Sequence, residues 1–143
     1  MERRAFVWKC GMGCLGAFTS SLILSGCAGT RYISGNIEGS FLSISEDTFL
    51  DESTDYLSHV VVQNDSLQYP IAVFRFGSNN YKALLMKCTH QGTELQVFGD
   101  RLQCPAHGSE FNNTGYVQNG PADAALRTFP VHKEFKTLKI DLS

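Results

Sequence analysis

Two short motifs, each with one cysteine and one histidine, are the residues of this sequence best suited to chemistry. They are Cys88-Thr89-His90 and Cys104-Pro105-Ala106-His107, and thirteen residues separate them. Two thiolates and two imidazoles make a four-ligand set that suits zinc or an iron–sulfur cluster. In a zinc finger the two cysteines usually precede the two histidines, whereas here each half supplies one of each. The spacing therefore predicts a metal centre built from two similar loops.

The residues around these motifs resemble the Rieske family of iron–sulfur proteins. The segment CTHQG at 88–92 is similar to the first cluster-binding loop of that family, and CPAHGSEF at 104–111 is similar to the second. Further along, Gly120-Pro121-Ala122 resembles the family's proline loop. The resemblance implies one [2Fe–2S] cluster in which two histidines replace two cysteines on one iron. It also implies an all-β, antiparallel Rieske-type β-sandwich with the cluster-binding loops at one tip.

The resemblance assigns a role to each of these residues. Cys88 and Cys104 would hold the inner iron, and His90 and His107 would hold the outer iron, nearer to solvent. Five neighbours are expected to shape the surroundings of the cluster: Gly92, Gly108, Ser109, Phe111 and Pro121. The glycines would let backbone amides approach the sulfurs, unless they are ordinary turn glycines. Ser109 would donate to a bridging sulfide, Phe111 stands where high-potential members have a tyrosine donor, and Pro121 would shield the cluster from behind.

Two departures from the family pattern bear on the redox partner. Quinol-oxidising members usually carry an extra cysteine in each loop, and these two cysteines form a disulfide. The matching positions here are Thr93 and Ala106, so that disulfide cannot form. The segment of thirteen residues between the two motifs is also short for the family. Both features weaken an assignment to a cytochrome bc complex, but neither affects the assignment of the cluster.

The N-terminal segment 1–26 reads as a signal peptide that combines two export features. Arg3-Arg4, followed by Ala5 and two apolar residues, resembles a twin-arginine signal, which exports folded proteins. Leu24-Ser25-Gly26-Cys27 resembles a bacterial lipobox, so Cys27 is predicted to carry lipid. The alternatives are a generic positively charged signal start for the arginines, and for Cys27 an ordinary cleavage site or an uncleaved anchor. The expected location is periplasmic, or the outer face of a bacterial membrane, with attachment through the lipid.

The rest of the chain divides into a tether at 27–45 and a Rieske domain at 46–143. The tether is predicted because residues 28–41 are rich in glycine and serine and have no apolar period. Without the signal, nine basic and thirteen acidic residues give a net charge of −4, so no basic surface for nucleic acid is expected. Five acids crowd residues 46–55, which predicts either a solvated loop or a docking patch for a basic redox partner.

Short apolar runs separated by turn residues predict the strands of the domain. Val60–Val62, Ile71–Phe76 and Tyr81–Met86 are such runs, and the last one leads directly into Cys88. Gly99-Asp100 predicts a tight hairpin that returns the chain from the first motif to the second. Two closing strands are predicted at 128–132 and 137–142, with Lys133 and Glu134 in the turn between them.

Together these features predict a membrane-tethered electron-transfer protein whose partner is quinol or another redox protein. The iron–sulfur subunit of a quinol-oxidising respiratory complex is one form of this function. The small Rieske subunit of an exported oxidase is the alternative, and a structural zinc-binding module is the alternative from a different class. The catalytic subunit of an oxygenase is not expected, because the sequence leaves no room for a catalytic iron domain.

Overall fold

The structure is a computed structural model that describes residues 29–143, so the predicted signal peptide and Cys27 lie outside the described residues. Thirteen short strands and one 3₁₀ turn, at Glu46–Phe49, make up this part of the chain. The strands are β1 Tyr32–Ser34, β2 Asn36–Glu38, β3 Phe41–Ser45, β4 His59–Gln63, β5 Ile71–Gly77, β6 Asn80–Leu85, β7 Gln96–Phe98, β8 Arg101–Gln103, β9 Glu110–Asn112, β10 Val117–Asn119, β11 Thr128–Phe129, β12 Val131–Glu134 and β13 Thr137–Asp141. Within this range, no helix has the length and apolar character needed to cross a lipid bilayer.

The strands form three sheets, a central one and two that flank it. The central sheet has the order β1-β4-β5-β6-β11, one outer sheet has the order β12-β13-β3-β2, and the small sheet has the order β10-β9-β8-β7. The strands pair antiparallel throughout, except for the parallel pair β1 and β4. The predicted all-β, antiparallel architecture is confirmed, and the predicted hairpin at Gly99-Asp100 is part of it as β7–β8.

The central sheet is buried on both faces, which explains why its strands read as unbroken apolar runs. Val60, Val61 and Val62 of β4 are all fully buried. Val60 and Val62 belong to the apolar cluster shared with the outer sheet, whereas Val61 belongs to the cluster shared with the small sheet. Because successive side chains of a strand point to opposite faces, one strand contributes to both cores. The small sheet and its loops are thereby packed against a rigid layer.

Most of the predicted tether is folded instead. Residues 32–45 form β1, β2 and β3; β1 pairs with β4 in the central sheet, and β3 pairs with β13 in the outer sheet. Leu42 and Ile44 are buried in β3, where they alternate with three more exposed serine and phenylalanine side chains. The prediction of a tether is therefore wrong for residues 32–45. Among its glycines and serines, the apolar residues of β3 alternate with a period of two, and β3 forms because it pairs with β13.

The closing strands also differ from the prediction. Lys133 and Glu134 belong to β12, and the turn lies at Phe135 and Lys136, where Phe135 has a left-handed φ of 54°. The predicted strand at 128–132 is divided at Pro130, so that β11 joins the central sheet while β12 joins the outer sheet. Proline lacks the N–H that a continuous ladder would need, so the change of sheet falls where a hydrogen bond would be lost anyway.

The acidic stretch at 46–55 is used largely within the fold. Glu46 accepts hydrogen bonds from the Lys133 ammonium at 2.7 Å and from the Tyr81 hydroxyl at 2.8 Å. These two bonds, led by the one from Lys133, lower the pKa of Glu46. Asp51 accepts from the backbone N–H groups of Ser53 and Asp55 and so closes its own loop. Because Glu46 and Asp51 are engaged within the fold, these contacts favour the loop interpretation over a docking patch.

Candidate metal centre

The two predicted ligand loops have the same backbone design. In the first, the N–H of Cys88 donates to the carbonyl of Thr93 at 2.8 Å, and the N–H of Gly92 donates to the carbonyl of Cys88 at 2.8 Å. In the second, Cys104 and Ser109 are joined in the same way at 2.8 Å, and Gly108 returns to Cys104 at 3.0 Å. Each loop is thus a six-residue hairpin loop that starts at its cysteine. The β7–β8 hairpin connects the two loops and returns the chain to the same end of the domain.

The glycines of these loops are required by backbone conformation. Gly92 has a φ of +79° and Gly108 has a φ of +77°. A side chain in this left-handed region is strained, and glycine adopts it at no steric cost. The two glycines occupy the same place, four residues after a cysteine, which is where each loop turns back. The amides that approach the Cys104 sulfur are instead those of Ala106 and His107.

The four predicted ligands are divided into an inner and an outer pair. Cys88 and Cys104 are only 1% and 2% exposed, and both lie in the apolar cluster between the central and small sheets. His90 and His107 are exposed, with their ring centroids 5.0 Å apart and their planes at 89°. The thiols therefore face the core, and the imidazoles face solvent at the tip of the domain.

The surroundings of Cys104 favour the thiolate that an iron ligand must be. Burial raises the pKa of this thiol, but the backbone N–H groups of His107 and Ala106 and the side chains of Cys88 and Thr93 lower it by more. The net effect is a pKa below the ordinary value. Backbone amides directed at a sulfur also stabilise any further negative charge that it acquires.

A third segment, 119–124, joins the two loops from behind. The Thr89 hydroxyl of the first loop donates to the carbonyl of Ala124 at 2.7 Å. Ser109, just after the second loop, accepts from the N–H of Ala122 at 3.0 Å, and the Asn119 amide donates to the carbonyl of Gly108 at 3.3 Å. This segment connects the two loops in a chain that has no cysteine at Thr93 or Ala106 to form a disulfide between them.

The remaining predicted site residues are placed as follows. Ser109 and Phe111 are fully buried beside the cysteines, and Pro121 is exposed in the third segment next to the buried Ala122. Sequence reasoning missed Thr89 and Tyr69 as supports of the site. The Tyr69 hydroxyl donates to the carbonyl of Gly92 at 2.8 Å across 23 positions of sequence. No local sequence pattern predicts such a long-range contact. The one sequence signal for Thr89 is its position as a polar residue inside the first motif.

The division into pairs fits a cluster with two irons. Within residues 29–143, no three His, Cys, Asp or Glu side chains converge on a point that could hold one metal ion. Two adjacent buried thiols and two adjacent exposed imidazoles instead offer one pair of donors to each iron, as a Rieske centre requires. We propose that Cys88 and Cys104 hold the inner iron, and that His90 and His107 hold the outer one.

Solved structures of known proteins share this architecture. The plasma membrane Rieske protein PetC3 from the cyanobacterium Synechocystis PCC 6803 is 25% identical, with a TM-score of 0.51 over 59% of this chain and 86% of that one. A chain in the complex of oxygenase and ferredoxin from carbazole 1,9a-dioxygenase shares the fold at 22% identity, with a TM-score of 0.54 over 73% of this chain and 95% of that one.

Among characterised proteins, the oxygenase component of chloroacetanilide N-alkylformylase from Rhizorhabdus wittichii is 32% identical over 97 residues. The match takes in 62% of this chain but only 27% of that relative, so this chain spans about a quarter of its length. Residues 47–130, more than half of the chain, match the family described as the Rieske [2Fe-2S] domain. The chain therefore belongs to the Rieske [2Fe-2S] domain family, whose domain binds a [2Fe–2S] cluster.

Proposed function

We propose that this protein is an exported, lipid-anchored electron carrier that passes single electrons between redox proteins through its Rieske cluster. The observation that carries the proposal is the exposure of His90 and His107 at one tip, while the two cysteines are buried. When bound, the cluster supplies a one-electron centre whose potential is raised by its imidazole ligands. The exposed imidazole edge is where a partner could approach within electron-transfer distance.

The described residues prepare the site for this task. The apolar cluster around Cys88 and Cys104 excludes water from the sulfur side of the centre. The hydrogen bonds of Thr89 and Ser109 to the third segment hold both loops in place. A centre held in one geometry needs little rearrangement when it gains or loses an electron, which is what an electron carrier needs.

The sequence of the two loops bears on the choice of partner. Thr93 and Ala106 stand where quinol-oxidising members of the family carry the two cysteines of a disulfide between the loops. The segment of thirteen residues between the two motifs is also short for the family. Both departures favour a protein partner over a membrane quinol.

The cofactor and the anchor are tested separately. Purified protein should contain two irons and two acid-labile sulfides, and it should give a Rieske-type EPR signal after reduction. One zinc without visible absorbance would refute the electron-carrier proposal. In cells, replacing both Arg3 and Arg4 with lysine should leave the protein in the cytoplasm. Cys27→Ala should abolish labelling by a radioactive fatty acid, and persistence of the label would remove Cys27 as the lipidation site.

The alternative of a small subunit in an exported oxidase has one supporting observation. This chain is 32% identical, over 97 residues, to a protein named as the oxygenase component of an N-alkylformylase. Purification from the native membrane at native abundance separates the two functions. A second subunit present in equal amount, with the oxidase activity residing in the pair, would favour the alternative over a free carrier.

A further inference from the structure

A groove of about 440 Å³ lies beside the first loop. The residues that line it are Leu85, Lys87, Cys88, Thr89, His90, Gln91, Gly92 and Arg127. Its wall includes two of the proposed ligands, so whatever fills the groove lies next to the cluster. Two cationic side chains, Lys87 and Arg127, line it, and no carboxylate does.

Both cations lie against aromatic rings. The Lys87 ammonium lies 5.4 Å from the centroid of the Tyr69 ring, and Tyr69 itself bonds to the first loop at Gly92. The Arg127 guanidinium lies 4.7 Å from the centroid of the Phe129 ring and donates to the main-chain oxygens of Leu142 and Ser143. A cation–π contact positions a cation without cancelling its charge. The two side chains are therefore fixed beside the groove while remaining positive.

The other basic side chains of the described residues divide into two groups. Four form ion pairs with carboxylates: Arg101, Lys133, Lys136 and Lys139. Arg31, Arg75 and Lys82 form no such pair among the described residues, and Arg75 lies 3.8 Å over the ring of Tyr56. Lys87 and Arg127 likewise form no ion pair with a side-chain carboxylate in the described part of the chain. Glu94, the backbone bridge partner of Lys87, lines a separate pocket with Asn64 and Asp65. In a domain of net negative charge, the groove is therefore lined by two cations and by no carboxylate.

We propose that this groove docks an acidic surface of a redox protein, with Lys87 and Arg127 facing its carboxylates and His90 at the contact. The inference rests on the proposed electron-carrier function and names the chemistry of the partner. Complementary charge at a docking site accelerates association and fixes orientation more than it raises affinity. The consequence is a fast, salt-sensitive reaction with acidic partners and a slow one with basic partners.

Two redox proteins of opposite charge serve as probes in stopped-flow mixing. An acidic plant-type ferredoxin, reduced beforehand, gives one electron from its [2Fe–2S] cluster to the oxidised protein, downhill because Rieske centres have higher potentials. Basic mitochondrial cytochrome c takes one electron from the reduced protein. We expect the ferredoxin rate to fall as ionic strength rises. K87E/R127E should lower that rate at low salt roughly tenfold or more and raise the cytochrome c rate.

Lys136→Glu is the control, because Lys136 lies on the β12–β13 turn, outside the lining of the groove. It changes the net charge by the same amount as each single charge reversal, Lys87→Glu or Arg127→Glu. EPR spectra and midpoint potentials must match the wild type in all variants, and the neutral pair K87Q/R127Q replaces the double reversal if that variant does not fold. An unchanged ferredoxin rate in the groove variants, or an equal loss in Lys136→Glu, overturns the proposal. The proposal is also overturned if the groove variants lose only the rate of reduction by a short-chain quinol, because quinol would then be the occupant of the groove. Failure of the carrier function itself looks different, because dithionite would then produce no reduced cluster in any variant.

Discussion

The side-chain oxygen of Ser109 lies 3.0 Å from the backbone nitrogen of Ala122 and accepts its hydrogen bond. Ser109 is fully buried just after the second loop, and Ala122 belongs to the segment that lies behind both loops. A hydroxyl that accepts one bond still has its own hydrogen to donate. Ser109 can therefore join the third segment and still donate to a cluster sulfur, as the family resemblance implies.

Thr89→Val should loosen the cluster without altering its ligands. The substitution preserves shape but removes the bond from the Thr89 hydroxyl to the Ala124 carbonyl, worth about 0.5–1.5 kcal/mol. We expect faster loss of the visible absorbance on incubation with an iron chelator, with an unchanged initial EPR spectrum. Thr128→Val, at an exposed position of β11, is the matched control. Equal rates of cluster loss in both variants would show that the third segment does not retain the first loop.

Removal of any proposed ligand should abolish the cluster. We expect Cys88→Ser, His90→Ala, Cys104→Ser and His107→Ala each to purify without the Rieske-type EPR signal, because one iron is left open to water. His132→Ala is the control, since His132 is exposed on β12 and packs edge-on against Phe41. Iron and sulfide analysis checks the result. A variant with full iron content and a normal spectrum would remove that residue from the ligand set.

Stability should depend on pH through Glu46. The hydrogen bonds from Lys133 and Tyr81 lower its folded-state pKa below the ordinary value of 4.5. Its contribution is therefore fully present above that value and is lost as the pH falls through the lower, folded-state pKa. We expect the Tm difference between wild type and Glu46→Gln to be largest at neutral pH and to shrink in acid.

Circular dichroism melts of the two proteins at a series of pH values measure this difference, and acid lability of the cluster affects both proteins alike. Asp65→Asn, at an exposed position in the β4–β5 connection, controls for a general change of charge. A Tm difference that stays constant from neutral pH to below 4.5 would mean that the ion pair with Lys133 does not form in solution.

The parts of the fold that sequence could predict are those specified locally. The apolar runs at Val60–Val62 and Ile71–Phe76 predict buried strands, and they are apolar throughout because both faces of the central sheet are covered. The two motifs predict the loops, because each motif is followed by a glycine that the turn requires. Gly99 predicts the hairpin between them. In each case the physical cause lies within a few residues of the signal.

The parts that sequence missed depend on distant partners. β3 forms because β13, nearly a hundred positions later, supplies its hydrogen bonds, so a stretch rich in glycine and serine read as a tether. The bond from Thr89 to Ala124 spans 35 positions, and no local pattern reveals it. The sequence predicts the closing turn too early because Lys133 is polar, yet its ammonium forms an ion pair with Glu46 inside the fold. Composition cannot distinguish a polar residue in a turn from one that forms a half-buried ion pair.

The last prediction concerns how side chains near the cysteines set the reduction potential. A hydrogen bond to a cluster sulfur stabilises the reduced state more, because that state is more negative. Ser109→Ala should therefore lower the potential, since it removes the buried hydroxyl. Phe111 is fully buried in the same apolar cluster as Cys88 and Cys104, so Phe111→Tyr would place a hydroxyl where sulfur is an available acceptor. We expect Phe111→Tyr to raise the potential.

Each shift should be on the order of 50 mV, because a bond to a charged group contributes about 1.5–3 kcal/mol and only the part that differs between redox states counts. Protein-film voltammetry of the three proteins at one pH measures both shifts. Ser109→Ala also removes the acceptor for the N–H of Ala122, so its effect on structure needs a check. Thr89→Val provides it, since that variant weakens the same segment without touching a sulfur donor. If Ser109→Ala and Thr89→Val lower the potential equally, Ser109 acts only by holding the segment. If Phe111→Tyr leaves the potential unchanged as well, neither position faces a cluster sulfur.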